Sequence, residues 1–491
     1  PGNIAVTGEY IIGTGACRAS ETIDLGGRIV APGFIDAHVH IESSMMNVTE
    51  FARTVLARGT TSVVADPHEI ANVLGSRGIE YMLASSDQQP MNIYFTLPSC
   101  VPATDMETSG AVLTADDLAA FIDHDRVLAL AEMMNFPGVV QADPQVLRKI
   151  RMARQSRKPV DGHAPGLTGP DLNAYIAAGI SSDHECTTPQ DAKEKLAAGM
   201  HIMVREGTGA KNLNSLLPLV NERTSRRMMW CTDDRHPHDL LAEGHIDYIV
   251  RRAIRKGLDP VTAVQMATIN PADYFGLKTA GAIAPGRKAD LLVISDLADL
   301  VVDQVYCNGK RVARAGRILA DIQKPAPAAL PAAMNITVED IDFSIPARGR
   351  NIRVIDIIAD QIITGERILA ANLKDDTALS DPGQDVLKIA VVDRHTGAGT
   401  TGKGFVRGLG LAKGAMASSV AHDSHNIIVA GVSDADMMAA FAAVVEMGGG
   451  LAAANAGSVR ATLPLPVGGL MSDEPLRQVC HSLDHLLAAV R

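Results

Sequence analysis

Between about residues 33 and 280 the chain repeats one pattern eight times: a short apolar run, a polar loop, then a stretch of helical periodicity. The apolar runs fall at 33–39, 60–65, 92–97, 127–131, 159–162, 180–183, 201–205 and 228–232. Helical spacing of apolar residues is clearest at 115–124, 143–156, 189–198 and 239–256. Parallel strands need crossovers of this length, and eight strand–helix units over about 250 residues match a closed barrel in number and size. An open doubly wound sheet is the competing arrangement, and it calls for a glycine-rich phosphate turn after its first strand. Here that position carries His38-Val39-His40. The expected fold class is α/β, a TIM-like (β/α)8 barrel.

Either side of the barrel the pattern changes. Residues 3–30 read as short strands at 4–6, 10–12 and 21–24, punctuated by Gly13, Gly15 and Gly26-Gly27. After Gly281, strands are expected at 290–294, 301–307 and 310–313, the last two joined by Asn308-Gly309, a two-residue hairpin signal. Residues 1–32 and 281–322 together should form a small β sandwich flanking the barrel at 33–280. A linker rich in proline and alanine, 324–331, then leads to a C-terminal α+β domain at 335–491. The chain opens at Gly2-Asn3-Ile4-Ala5-Val6 as if in the middle of a strand pair, so a segment preceding Pro1 is expected.

Composition narrows the partners. The formal net charge of −11 argues against a nucleic-acid backbone or an anionic membrane. Aromatic residues make up only 3%, so the core must be aliphatic. Six scattered cysteines give neither a disulfide framework nor a CxxC knuckle. With no apolar run of membrane-spanning length and no leader pattern, the expected location is cytoplasmic.

A strand alternates its side chains, so His38 and His40 share a face, about 7 Å apart along the backbone, and can grip one metal ion. On a helix they would diverge. Chemistry in such a barrel sits at the carboxyl ends of the strands. Strand 2 ends in Asp66-Pro67-His68-Glu69, strand 4 in Glu132, strand 5 in His163 and strand 6 in His184-Glu185. Strand 7 ends in Arg205-Glu206-Gly207 and strand 8 in Asp233-Asp234-Arg235-His236. Metal-ligand residue types at nearly every strand end point to a metallohydrolase.

The set resembles the amidohydrolase superfamily: His-x-His on strand 1, a bridging group on strand 4, one histidine each on strands 5 and 6, an aspartate on strand 8. The resemblance implies His38, His40, Glu132, His163, His184 and Asp233 as ligands of two divalent ions (manganese, iron or zinc), with Glu132 able to bridge them. Strand parity favours Asp233 over Asp234 as the catalytic carboxylate, and a slip of one residue would exchange them. Ile41-Glu42-Ser43-Ser44, Ala65-Asp66-Pro67-His68-Glu69-Ile70, Arg205-Glu206-Gly207 and Thr232-Asp233-Asp234-Arg235-His236-Pro237 are similar to the adenine deaminase family. So is His422-Asp423-Ser424-His425-Asn426 in the C-terminal region, and the likeness then spans essentially the whole chain.

That family implies hydrolytic deamination of adenine to hypoxanthine and ammonia by a metal-bridged hydroxide, a purine-salvage reaction on a small-molecule substrate. Asp233 would accept the proton of the attacking hydroxide and pass it to the leaving amino group. Glu206, His68 or Glu69 would protonate the ring. Glu42, Ser43, Asp66, Arg205, Asp234 and His236 would bind substrate, and His422 and His425 either reach the site or merely satisfy a strand end. A homo-oligomer is expected. The zinc deaminases with a P-C-x-x-C ligand motif are excluded, because the chain has no such motif. Two alternatives remain: another cyclic-amide hydrolase of the dihydroorotase or hydantoinase kind, and a non-catalytic amidohydrolase-like scaffold. The first usually carries a carboxylated lysine where Glu132 stands, and the second should have lost ligands.

Overall fold

The computed structural model describes residues 2–325, 330–358 and 363–490. Residues 326–329 of the expected linker lie outside the described residues. Three short strands come first: β1 (Ile4–Thr7), β2 (Tyr10–Thr14) and β3 (Ile29–Pro32). The strand expected at 21–24 does not form, and Ile23 is half exposed with no neighbouring chain to pair with. An extended segment without a ladder partner or a buried face gains nothing to offset its ordering entropy.

The barrel strands follow: β4 (Phe34–Val39), β5 (Thr60–Ala65), β6 (Asn92–Leu97), β7 (Val127–Met133), β8 (Val160–Gly162), β9 (Ser182–Asp183), β10 (His201–Arg205) and β11 (Met228–Cys231). They form two parallel arcs, β4-β5-β6-β7-β8 and β9-β10-β11. Two single parallel bridges join the arcs into a ring: Val160 with Ile180, and Val39 with Asp233. The inward layer includes Ala37, Val64, Ala129, Met203, Met229 and Cys231, all buried. Small and flexible side chains dominate this layer, and Phe275 packs beside them. The surrounding helices start where the chain supplies caps. Asn47 accepts from Glu50 N ahead of Val48–Leu56, and Asp143 accepts from the amides of Gln145 and Val146 ahead of Pro144–Gln155. The single helix expected at 239–256 is broken into Pro237–Ala242 and Ile246–Arg255. Gly244 between them takes a φ of 116°, which a residue with a β-carbon resists.

Beyond the barrel run β12 (Leu291–Asp296), β13 (Val301–Cys307), β14 (Lys310–Arg314) and β15 (Arg317–Ile318). The order β15-β14-β13-β12-β3 makes a five-stranded antiparallel sheet from both ends of the barrel segment. The β1–β2 hairpin packs on it through Ile11, Ala289 and Leu291.

The C-terminal region contains β16 (Asn351–Ile357), β17 (Thr364–Ala370), β18 (Asn372–Lys374), β19 (Thr377–Leu379), β20 (Val386–Val392), β21 (Thr401–Arg407), β22 (Ala415–Ser418), β23 (Ile427–Gly431), β24 (Gly450–Asn455) and β25 (Ser458–Pro464). Eight of these form one mixed sheet, β17-β16-β21-β20-β23-β22-β24-β25, in which only β16 and β21 pair in parallel. Alternation along β24 divides its side chains between two helices: Ala452 and Ala454 join the core under Asp434–Glu446, and Leu451 and Ala453 that under Leu476–Val490.

This sheet region docks on the barrel mouth. Ser472 N donates to Met45 O and Asn47 N to Ser472 O, at 2.9 and 3.0 Å. Asn426 Nδ2 donates to Glu107 Oε1 and to Thr108 O. Among the described residues no helix is long and apolar enough to cross a membrane.

Candidate active site

Ala37 faces the inward layer, the β4–β5 ladder shifts register between Asp36 and Val39, and past that irregularity His38 and His40 turn toward each other. Asp36 is fully buried and ties the ends of β4 and β11 together. Its carboxylate accepts from the Thr232 hydroxyl at 2.5 Å and from the amides of Thr232 and His38 at 3.2 Å. Burial pushes its carboxyl up to about 7 against those bonds.

Above it four donor atoms converge. His38 Nε2 and His40 Nε2 are 3.1 Å apart, and Asp233 Oδ1 lies 3.3 and 3.1 Å from them. Glu132 Oε1 stands 3.3 Å from His40 Nε2 and 3.8 Å from His38 Nε2. Four donors around one tetrahedral divalent ion at 2.0–2.2 Å would be separated by about 3.3–3.6 Å. The set therefore fits such an ion with small adjustments. His40 Nδ1 donates to the Asp66 carbonyl at 3.0 Å, leaving the Nε2 lone pair turned to the other donors. The other Glu132 oxygen, Oε2, faces a second group: His163 Nδ1 at 2.6 Å and His184 Nε2 at 3.2 Å. One carboxylate thus shares its two oxygens between two donor sets, as a bridging ligand does.

Electrostatics follow from this crowding. Burial pushes the Glu132 carboxyl up, but hydrogen bonds from His163, His184 and His40 hold it well below the usual range. Asp233 behaves likewise, with Arg205 the main opposing charge. Burial pushes the His184 imidazole down, yet Glu132 carries it to about 9.

The remaining expected site residues separate cleanly. Arg205 and Glu206 are consecutive, so they face opposite ways. Arg205 donates to Asp233 Oδ2 at 2.7 Å and to Glu185 Oε2 at 2.9 Å, inside the ring. Glu206 turns outward, where its carboxylate takes Arg252 at 2.5 Å and Leu213 N at 3.1 Å. The structure does not bring Glu206 to the cluster.

His68 does reach it, with Nδ1 3.3 Å from Asp66 Oδ2 and 3.5 Å from Glu132 Oε1. Burial lowers the His68 imidazole, but Asp66 and Asp423 raise it well above its ordinary value. Its Nε2 lacks a hydrogen-bond partner, as does Asp66 Oδ1. Ser43 Oγ lies 2.7 Å from Glu69 Oε1 and 2.6 Å from Asp234 Oδ1. Glu42 lies fully buried beside Glu69, and burial and that neighbour push its carboxyl up to about 8. His236 is partly buried, its amide donating to Thr208 Oγ1 at 2.9 Å.

From the C-terminal sheet the loop between β22 and β23 brings Asp423 Oδ1 to 3.8 Å from His68 Nε2, and His425 Nε2 to 4.0 Å from Glu69 Oε2. His425 is fully buried and His422 exposed. Arg394, itself fully buried, holds this loop by donating to the carbonyls of His425, Ser419 and Gly468. Sequence reasoning assigned no role to Asp36, Glu185, Arg394 or Asp423. Asp36 was within reach of the sequence, since it sits two residues before His38 on the same strand. Arg205 for Glu185, His68 for Asp423 and the carbonyls that Arg394 holds lie 20 or more residues away, and local spacing carries no signal for them.

Residues 29–312 match the amidohydrolase family, and residues 361–491 match the adenine deaminase C-terminal domain. The chain is 55% identical over 490 residues to an adenine deaminase of Desulfatibacillum aliphaticivorans, covering 100% of this chain and 86% of that protein. It is 47% identical over 496 residues to one of Kosmotoga olearia, covering 100% and 85%. An adenine deaminase 2 of Carboxydothermus hydrogenoformans is 48% identical over 491 residues, covering 100% and 86%. With both regions matched and similarity running along its full length, the chain belongs to the adenine deaminase family of amidohydrolases.

Proposed function

We propose that this enzyme hydrolyses adenine at C6 to hypoxanthine and ammonia, using two divalent ions. His38, His40, Asp233 and Glu132 Oε1 would hold one ion, and Glu132 Oε2, His163 and His184 the other. A pair of ions so held lowers the pKa of water and supplies hydroxide near neutral pH.

The chain's own groups do the rest. Asp233 is fixed by Arg205, so its carboxylate meets the attacking water in one orientation. Asp233 takes the proton at Oδ2, the oxygen not turned to the ion, and hands it to the departing amino nitrogen, which must leave as neutral ammonia. His68 donates to the purine ring from Nε2, a buried nitrogen with no hydrogen-bond partner in the protein. Asp66 behind it and Asp423 in front keep that imidazole charged near neutral pH. Glu69 Oε1 is taken up by Ser43, its Oε2 is turned to His425, and Glu206 is held by Arg252, so neither competes for the ring. Ser43, Asp234 and the loop carrying Asp423 form the polar wall on the substrate side.

The observation that carries this reading is Glu132 reaching both donor sets with one oxygen each. A cyclic-amide hydrolase would use the same ions, but the adenine deaminase C-terminal domain and full-length similarity favour adenine. The test is ammonia release from adenine by enzyme loaded with manganese, iron or zinc, run beside dihydroorotate and hydantoin. Turnover of adenine alone is expected. Turnover of a cyclic amide instead, or of nothing under any metal, overturns the reading.

A further inference from the structure

Outside the two donor sets lies a third group of metal-ligand side chains: Glu69, His422 and His425. One donor atom from each lies within 4.8 Å of the other two. Glu69 and His425 are fully buried, and Glu69 Oε2 and both ring nitrogens of His425 have no hydrogen-bond partner. Buried polar atoms are nearly always paired in folded proteins, so three orphans together call for a missing partner. Glu69 Oε2 and His425 Nε2 face each other at 4.0 Å, beyond hydrogen-bond reach. Two donors on one ion at 2.0–2.2 Å stand about 3.4 Å apart in a tetrahedron and up to about 4.3 Å apart when opposed. The gap is thus the width of an ion.

We propose that Glu69, His422 and His425 bind a third divalent transition-metal ion, separate from the catalytic pair. Two imidazoles and one carboxylate suit zinc or a similar borderline metal better than magnesium or calcium. The ligands come from two parts of the molecule: Glu69 from the helix His68–Leu74 that follows β5, and both histidines from the β22–β23 loop. An ion there fastens the C-terminal sheet to the barrel. It also fixes the loop that carries Asp423 to His68. The inference rests on the two-ion reading only in being counted against it.

The test uses the full-length chain purified with its metals and equilibrated with zinc. Metal content per chain and anomalous diffraction at the zinc edge are both read. Expected are three ions per chain and an anomalous peak among Glu69 Oε2, His422 and His425. His422→Ala removes an exposed ligand with little risk to folding, and should lower the content to two while abolishing that peak alone. His38→Ala should deplete the catalytic pair and leave the third peak. Two ions in the unaltered chain with no peak at Glu69, or an unchanged content in His422→Ala, overturns the proposal. A third peak without the catalytic pair would count against the two-ion reading alone.

Discussion

The two roles proposed for Asp233, ion ligand and proton acceptor, can be separated by one substitution. Its backbone takes a φ of 55°, in the left-handed region that aspartate tolerates better than most residues, and this turns the carboxylate onto His38 and His40. Asp233→Asn keeps an oxygen for the ion but cannot take up a proton. Turnover should fall about 10²–10⁴-fold with KM little changed. Asp234→Asn should be milder, because Asp234 meets Ser43 and not the imidazole pair. Steady-state kinetics with metal analysis of both variants checks this, and a dead Asp234→Asn beside a near-normal Asp233→Asn would reverse the assignment. A second expectation concerns protons. The His184 imidazole stands near 9 in the ion-free protein, so below that pH it holds a proton that the ion must displace. Apparent metal affinity should therefore rise with pH up to about 9 and level off above it. Competition against a chelator across that range reads it directly.

At the scale of single strands, β8 shows how closely the chain must pass itself to place a ligand. A β-carbon at Gly162 would run into the carbonyl oxygen of Ser182 and crowd the Ile180 side chain. Those neighbours lead into His184, while Gly162 leads into His163. Gly162→Ala should push β8 from β9 and spoil the His163–Glu132–His184 set first. Metal titration of this variant should show one ion retained more tightly than the other, with activity lost. Strand logic also explains what the sequence revealed and what it hid. The convergence of His38 and His40 was legible because period-two alternation is local. The same alternation set Arg205 against Glu206, yet which one faced inward depended on Arg252, 46 positions from Glu206 in the chain. The break at Gly244 was visible as a glycine, but only its φ made it a helix end. The eightfold repeat revealed the barrel. The roles of Arg394 and His425 stayed hidden, because a docked surface leaves no periodicity.

Over the whole molecule, the C-terminal sheet completes the rim of the barrel. Met45 and Met46 follow the first histidine pair, and their loop pairs with Ser472. Deleting 335–491 should abolish adenine turnover even where circular dichroism shows a folded barrel, and a truncated enzyme of normal activity would make the domain ancillary. The ring of strands has a further consequence. It is continuous except at two joints, each held by a single bridge, and the proposed ligands straddle both. His38 and His40 face Asp233 across one joint, and His163 faces His184 across the other. The reaction centre is thus also the clasp of the hoop. Each independent ion present at 100 times its Kd would add about 2.7 kcal/mol to the closed form. Chelation should therefore do more than stop turnover. Hydrogen exchange should quicken first at the amides of Asp233 and Ser181, which bond across the two joints to His38 O and Val160 O, before it quickens within either arc. Uniform acceleration around the ring would show that the barrel stays shut without its metals.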